Sequence, residues 1–84
     1  MAYDVYLRRE VIDFLHALRR DERDALLAFF ESLGRDPYRS GDFNDQDASG
    51  RDIEVIIFGR CAIWYWADHA VKELKIVDVR FADL

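Results

Sequence analysis

The sequence predicts an α+β fold in which a helix hairpin covers one face of a mixed, mainly antiparallel sheet. Three observations lead there. The chain opens with a short run of alternating apolar residues, Tyr3, Val5 and Leu7. Two stretches with a helical apolar period follow, and the second half returns to apolar runs punctuated by turn residues. Helices gathered in one stretch and strands in another belong to a layered α+β arrangement, since each apolar face must be buried against another element.

Each element has its own signal. In residues 3–7, Tyr3, Val5 and Leu7 share one face of a strand while Asp4 and Tyr6 take the other. Over residues 9–20 the period changes: Val11, Leu15 and Leu18, joined by Ile12 and Phe14, fall on one helical face. Asp21 then reads as an N-cap, with Glu22 and Asp24 in the first turn, where acids complement the helix dipole. Leu26, Phe29, Phe30 and Leu33 give the i, i+3, i+4, i+7 spacing of a second amphipathic helix. Gly34 suits its C′ position and Pro37 prevents continuation. Helices this close in sequence form an antiparallel hairpin. Residues 35–52 read as a polar loop. Strands follow at 53–58, 61–67 and 73–81, separated by turns at Gly59-Arg60 and Asp68-His69-Ala70. Cys61-Ala62-Ile63-Trp64-Tyr65-Trp66 lacks polar alternation, as expected of a central strand buried on both sides. The expected order is β-α-α-β-β-β.

Size and composition narrow the class. At 84 residues the chain has room for one domain, 1–84, and a chain this short buries only about 60% of its unfolded surface. A hydrophobic content of 51%, with 14% aromatic residues, supplies the rich core it needs and excludes disorder. One cysteine, Cys61, builds neither a disulfide nor a multi-cysteine metal site. That single thiol, the lack of a secretory signal and the lack of a membrane-length apolar run predict a cytoplasmic protein with no membrane association. Seventeen acids against twelve bases give a net charge of −5, a poor starting point for gripping phosphate backbones. Arg8, Arg9, Arg19, Arg20 and Arg23 lie close together, but acids alternate with them, as on a solvated helix face.

Few side chains form a chemical constellation. Asp45-Gln46-Asp47-Ala48-Ser49-Gly50 echoes a calcium loop, yet Ile56 stands where a bidentate Glu is needed; turn chemistry explains the segment, and no metal or other cofactor is expected. Asp68-His69, with Lys72 and Glu73 after it, is the one cluster mixing His, acid and base. An Asp can orient a His for proton transfer, although no nucleophile stands at a fitting spacing. Trp64, Tyr65 and Trp66 offer stacking surfaces, with packing as their first use.

As a set, several of these features resemble the RelE/ParE superfamily of bacterial toxins. They are Tyr3-x-Val5, the hairpin ending in Leu33 with Pro37 and Gly41 after it, Gly59 followed by Ile63 and Tyr65, and Leu74-Lys75-Ile76-Val77-Asp78-Val79-Arg80. The resemblance implies the toxin of a type II toxin–antitoxin pair, of the kind linked to plasmid stabilisation, with an antitoxin wrapped around it. It implies one of two targets, mRNA in the ribosomal A site, cleaved without a metal, or DNA gyrase. Cleaving members use basic residues on the concave sheet face. Anchored on Gly59, this chain has Asp52 and Glu54 where a basic pair is usual, Cys61 where an arginine is usual, and no tyrosine after Arg80. The expected function is therefore a toxin-like component whose mRNA-cleaving activity is weak, altered or lost. Arg60, His69 and Arg80 are the candidate catalytic residues, and Arg51, Asp52, Glu54 and Tyr65 the candidate binding residues. The alternatives are a non-enzymatic protein-interaction module on the same scaffold and a gyrase-directed toxin.

Overall fold

A computed structural model of the chain describes residues 2–82. Its elements are β1 (Asp4–Leu7), α1 (Arg9–His16), α2 (Arg20–Arg35), β2 (Phe43–Gln46), β3 (Asp52–Phe58), β4 (Cys61–Asp68) and β5 (Glu73–Phe81). They build one sheet in the order β1-β5-β4-β3-β2, with β1 parallel to β5 and the other pairs antiparallel. The expected mixed sheet and helix pair are present. One strand was missed.

That strand is β2, inside the segment expected to be a loop. Its residues Phe43, Asn44, Asp45 and Gln46 are all exposed, so it carries no apolar period to detect. Backbone contacts hold it instead. The Asp42 amide donates to the Val55 carbonyl at 2.8 Å, and the Gly41 amide to a Glu54 carboxylate oxygen at 2.6 Å. A Cβ on Gly41 would lie 2.5 Å from the Val55 carbonyl oxygen, so this close approach requires glycine.

Both helix boundaries also differ from expectation. α1 stops at His16 rather than near Arg20, because the Ala17 and Leu18 amides fold back onto Phe14 and Leu15 carbonyls. Leu18 remains buried outside the helix, which is why its apolar spacing resembled a further turn. α2 is preceded by extended Arg19 at the N-cap position, not Asp21, whose carboxylate accepts the Glu22 amide within the first turn. Gly34 lies inside α2, not at C′. It is buried there and lets β1 pass close, with the Tyr3 amide donating to the Gly34 carbonyl at 2.8 Å.

The main core lies between the helices and the sheet. Val11, Leu26, Phe30 and Leu33 meet Ile63, Tyr65, Leu74 and Ile76 there. A register shift between Trp64 and Tyr65 leaves Val77 as the extra residue of β5. With that bulge, Ile76 and Val79 both face the helices although they are three residues apart. Trp64 and Trp66 share the opposite, open face, as alternation predicts, beside buried Ile53, Val55 and Ala62. Among the described residues no helix is long and apolar enough to cross a membrane.

Candidate functional site

Two concavities mark the sheet, one at the end of β3 and β4 near the loops and one on the open face. The first has a volume of ≈ 420 Å³ and brings together Arg51, Asp52, Glu54, Tyr65 and His69, five residues singled out from the sequence, with Tyr38, Arg39 and Trp66. The turn after β4 supplies His69. Its Nδ1 is 2.8 Å from the Tyr3 hydroxyl, and its ring stacks on Tyr38 at 4.7 Å. When Tyr3 donates, the imidazole proton sits on Nε2, which then offers a hydrogen-bond donor and no basic nitrogen. When Nδ1 donates, Nε2 is left as a base.

Arg51 is positioned by the β2–β3 hairpin. The Asp47 carboxylate accepts from the Ser49 hydroxyl, the Ser49 and Arg51 amides and the Arg51 guanidinium. Those bonds, the Ser49 hydroxyl above all, hold the Asp47 carboxyl below its usual range. The alternating oxygens that echo a calcium loop thus serve the turn. The Arg51 guanidinium lies over Trp66 at 4.0 Å. Among the described residues no group of three or more His, Cys, Asp or Glu side chains converges as a metal site would require.

Tyr65 lines the same cavity yet is only 2% exposed and packs in the main core. The hydroxyl donates to the Arg39 carbonyl at 2.9 Å. Burial, aided by the Glu54 carboxylate, pushes its pKa up to about 12. It is a fixed wall and a neutral donor.

The second concavity, ≈ 550 Å³, lies on the open sheet face around Trp64 and holds Arg8, Asp45, Asp78 and Arg80. Arg80 lies 5.1 Å over the Trp64 ring and pairs with Asp78 at 2.7 Å, while Asp45 accepts the Trp64 indole N–H at 3.1 Å. Arg60 stands apart from both. β4 separates it from His69 by seven strand steps, roughly 23 Å. It forms two 2.7 Å bonds to Glu22 of α2 and covers Phe81 at 4.3 Å. The hydrogen bond to Arg60 lowers the Glu22 carboxyl pKa, and the same contact raises that of Arg60. Burial pushes the Cys61 thiol up, so it stays an inert part of the core.

No protein-family model matches the chain, and no curated protein matches it. Solved structures do. A chain of the toxin–antitoxin complex RelBE2 from Mycobacterium tuberculosis superposes with a TM-score of 0.79 at 22% identity, covering 98% of this chain and 100% of that one. A chain of the archaeal RelE–RelB complex from Pyrococcus horikoshii OT3 gives 0.76 at 19% identity, covering 96% of each. The fold is RelE-like. On this RelE-like sheet, Arg51, Asp52, Glu54, Tyr65 and His69 meet at one end, Arg80 lies on the open face in register with Ala62, and Arg60 is at the opposite end.

Several residues at or beside these sites escaped the sequence reading, Arg8 and Asp78 of the second concavity among them. Tyr3 was assigned to a strand face, yet its hydroxyl binds His69. Tyr38 and Arg39 lie in the polar connection after α2; an aromatic next to Pro37 in such a segment was the available signal. Lys75 reaches over Tyr6 at 5.3 Å and Trp66 at 5.7 Å, and pairs with Asp68 and Glu73.

Proposed function

We propose that this chain is the toxin-fold member of a type II toxin–antitoxin pair, working in the cytoplasm as one unit and held by an antitoxin. The observation that carries this reading is the likeness to chains of RelE–RelB complexes over nearly the full length of both partners. The exposed sheet face with its aromatic and cationic side chains provides the surface for such a partner. Any ribonuclease activity on mRNA is weak or altered. Arg51 contacts phosphate and His69 transfers the proton, with Arg80 too far along the sheet to join them, but Asp52 and Glu54 oppose the developing phosphoryl charge. Arg60, neutralised by Glu22, contributes to the frame rather than the chemistry.

A second reading, a protein-binding module without catalysis, draws support from one observation: the cations of the open face are already engaged. Arg51 is paired with Asp47, Arg80 with Asp78, and Lys75 with Asp68 and Glu73. Inducible expression of the chain in a bacterial host, scored for growth, mRNA cleavage and DNA damage, separates the readings. Arrest with mRNA cleavage supports the nuclease, and arrest with DNA damage supports a gyrase-directed toxin. Normal growth at confirmed soluble expression refutes an active toxin in that host and leaves the binding module.

A further inference from the structure

Cations cover several aromatic rings of this protein, and Tyr38 is not among them. Trp64 carries Arg80, Trp66 carries Arg51, Tyr6 carries Lys75 and Phe81 carries Arg60. Tyr38, 76% exposed, has its ring stacked on His69 and, among the described residues, no cation over it. Beside it, in the ≈ 420 Å³ cavity, stand the carboxylates of Asp52 and Glu54. Their partners are neutral donors: the Gln46 amide at 3.3 Å for Asp52 and the Gly41 backbone N–H at 2.6 Å for Glu54. Among the described residues neither acid lies within ion-pair distance of a cation. The two cations of the cavity are drawn elsewhere, Arg51 to Asp47 and Trp66, Arg39 toward the Phe29 ring at 5.6 Å.

We propose that this cavity receives an arginine side chain of the antitoxin, its guanidinium stacked at the Tyr38–His69 pair and hydrogen-bonded to Asp52 and Glu54. The partner's identity rests on the toxin–antitoxin reading above; the chemistry of the pocket does not. A planar guanidinium matches both demands at once, because it stacks on aromatic faces and presents paired donors to carboxylates. An ammonium meets only part of them, and a phosphate would be repelled by both acids. A net charge of −5 steers a basic segment toward the chain and a polyanion away.

The test uses the full chain and an acetylated tetra-arginine peptide, with tetra-lysine and tetra-citrulline peptides as controls, at about 150 mM salt to screen diffuse attraction. Amide and indole NMR shifts locate the binding, and titration gives Kd. The expected result is shifts concentrated at residues 37–40, 51–54 and 66–69, absent with citrulline and several-fold weaker with lysine. Asp52→Asn/Glu54→Gln, which keeps an acceptor for the Gly41 amide, and Tyr38→Ala should each weaken binding about tenfold or more. Shifts scattered over the helices, equal binding of citrulline, no binding, or indifference to these variants overturn the proposal. The same variants, tested against the co-encoded antitoxin, separate the two claims. An antitoxin that binds wild type and variants equally leaves the toxin–antitoxin reading intact and removes this one. Absence of any neutralising antitoxin removes that reading, while the peptide titration still reports on the pocket.

Discussion

Gly34→Ala tests how closely β1 and α2 approach behind the candidate site. In an exposed helix interior, Gly→Ala gains about 1 kcal/mol of helix propensity. Here the new Cβ would lie 2.7 Å from the Tyr3 carbonyl oxygen and 3.0 Å from the Val5 side chain. Both distances are shorter than a relaxed nonbonded contact, and the nearer atom is backbone, which cannot rotate away. Moving β1 outward costs roughly 1–3 kcal/mol as overpacking. It also strains the 2.8 Å bond from the Tyr3 amide to the Gly34 carbonyl, worth about 1 kcal/mol. Subtracting the propensity gain leaves a net loss of about 1–3 kcal/mol. For a chain of this size that lowers Tm by roughly 5–20 °C. Thermal unfolding followed by circular dichroism measures it, with Glu31→Ala on the exposed side of the same helix as a control expected within about 0.5 kcal/mol of wild type. A Gly34→Ala protein as stable as wild type, or more stable, would refute the close approach and with it the anchoring of Tyr3 next to His69.

Three further outcomes are expected. Tyr65→Phe removes the hydroxyl bond to the buried-side Arg39 carbonyl and should cost about 1 kcal/mol by denaturant unfolding; in the wild type, Tyr65 should be the last tyrosine to ionise in an ultraviolet pH titration, near the value of about 12 set by its burial. Glu22 has its folded-state pKa lowered by Arg60, so its contribution is present above its unfolded value and is lost as pH falls through the folded one. The acid-side fall of Tm, below about pH 4.5, should therefore be shallower in Glu22→Gln than in wild type, and an unchanged slope would contradict the pairing. Gly59→Ala places a side chain at φ +58 in the β3–β4 turn with open space around it, so the cost is conformational alone, about 1 kcal/mol by the same unfolding assay.

What the sequence discloses and what it hides follow from how each element is stabilised. β3, β4, β5 and the apolar faces of both helices are held by buried side chains, so their periods are written in the chain; Leu26, Phe30 and Leu33 are all buried, as their spacing predicts. β2 is held by backbone bonds at Gly41 and Asp42 and has no apolar face, so no period marks it. Gly34 illustrates an ambiguity of chemistry rather than of period: a glycine near the end of a helical pattern serves equally as a left-handed cap or as a gap for a neighbouring strand, and only the position of β1 decides. The site divides along the same line. Arg51, Asp52, Glu54, Tyr65 and His69 come from three separated segments, yet the register of β3 on β4 brings Glu54 opposite Tyr65 and gathers them at one end. Arg60 is one residue from Cys61 in sequence and turns away from that end because the hairpin places it against α2 and Glu22. Tyr3, opening the chain, reaches His69 through the parallel pairing of β1 with β5, a long-range contact that local pattern does not carry. Asp52 and Glu54 form an acidic wall beside the exposed ring of Tyr38, a combination that suits a cationic partner better than a substrate phosphate.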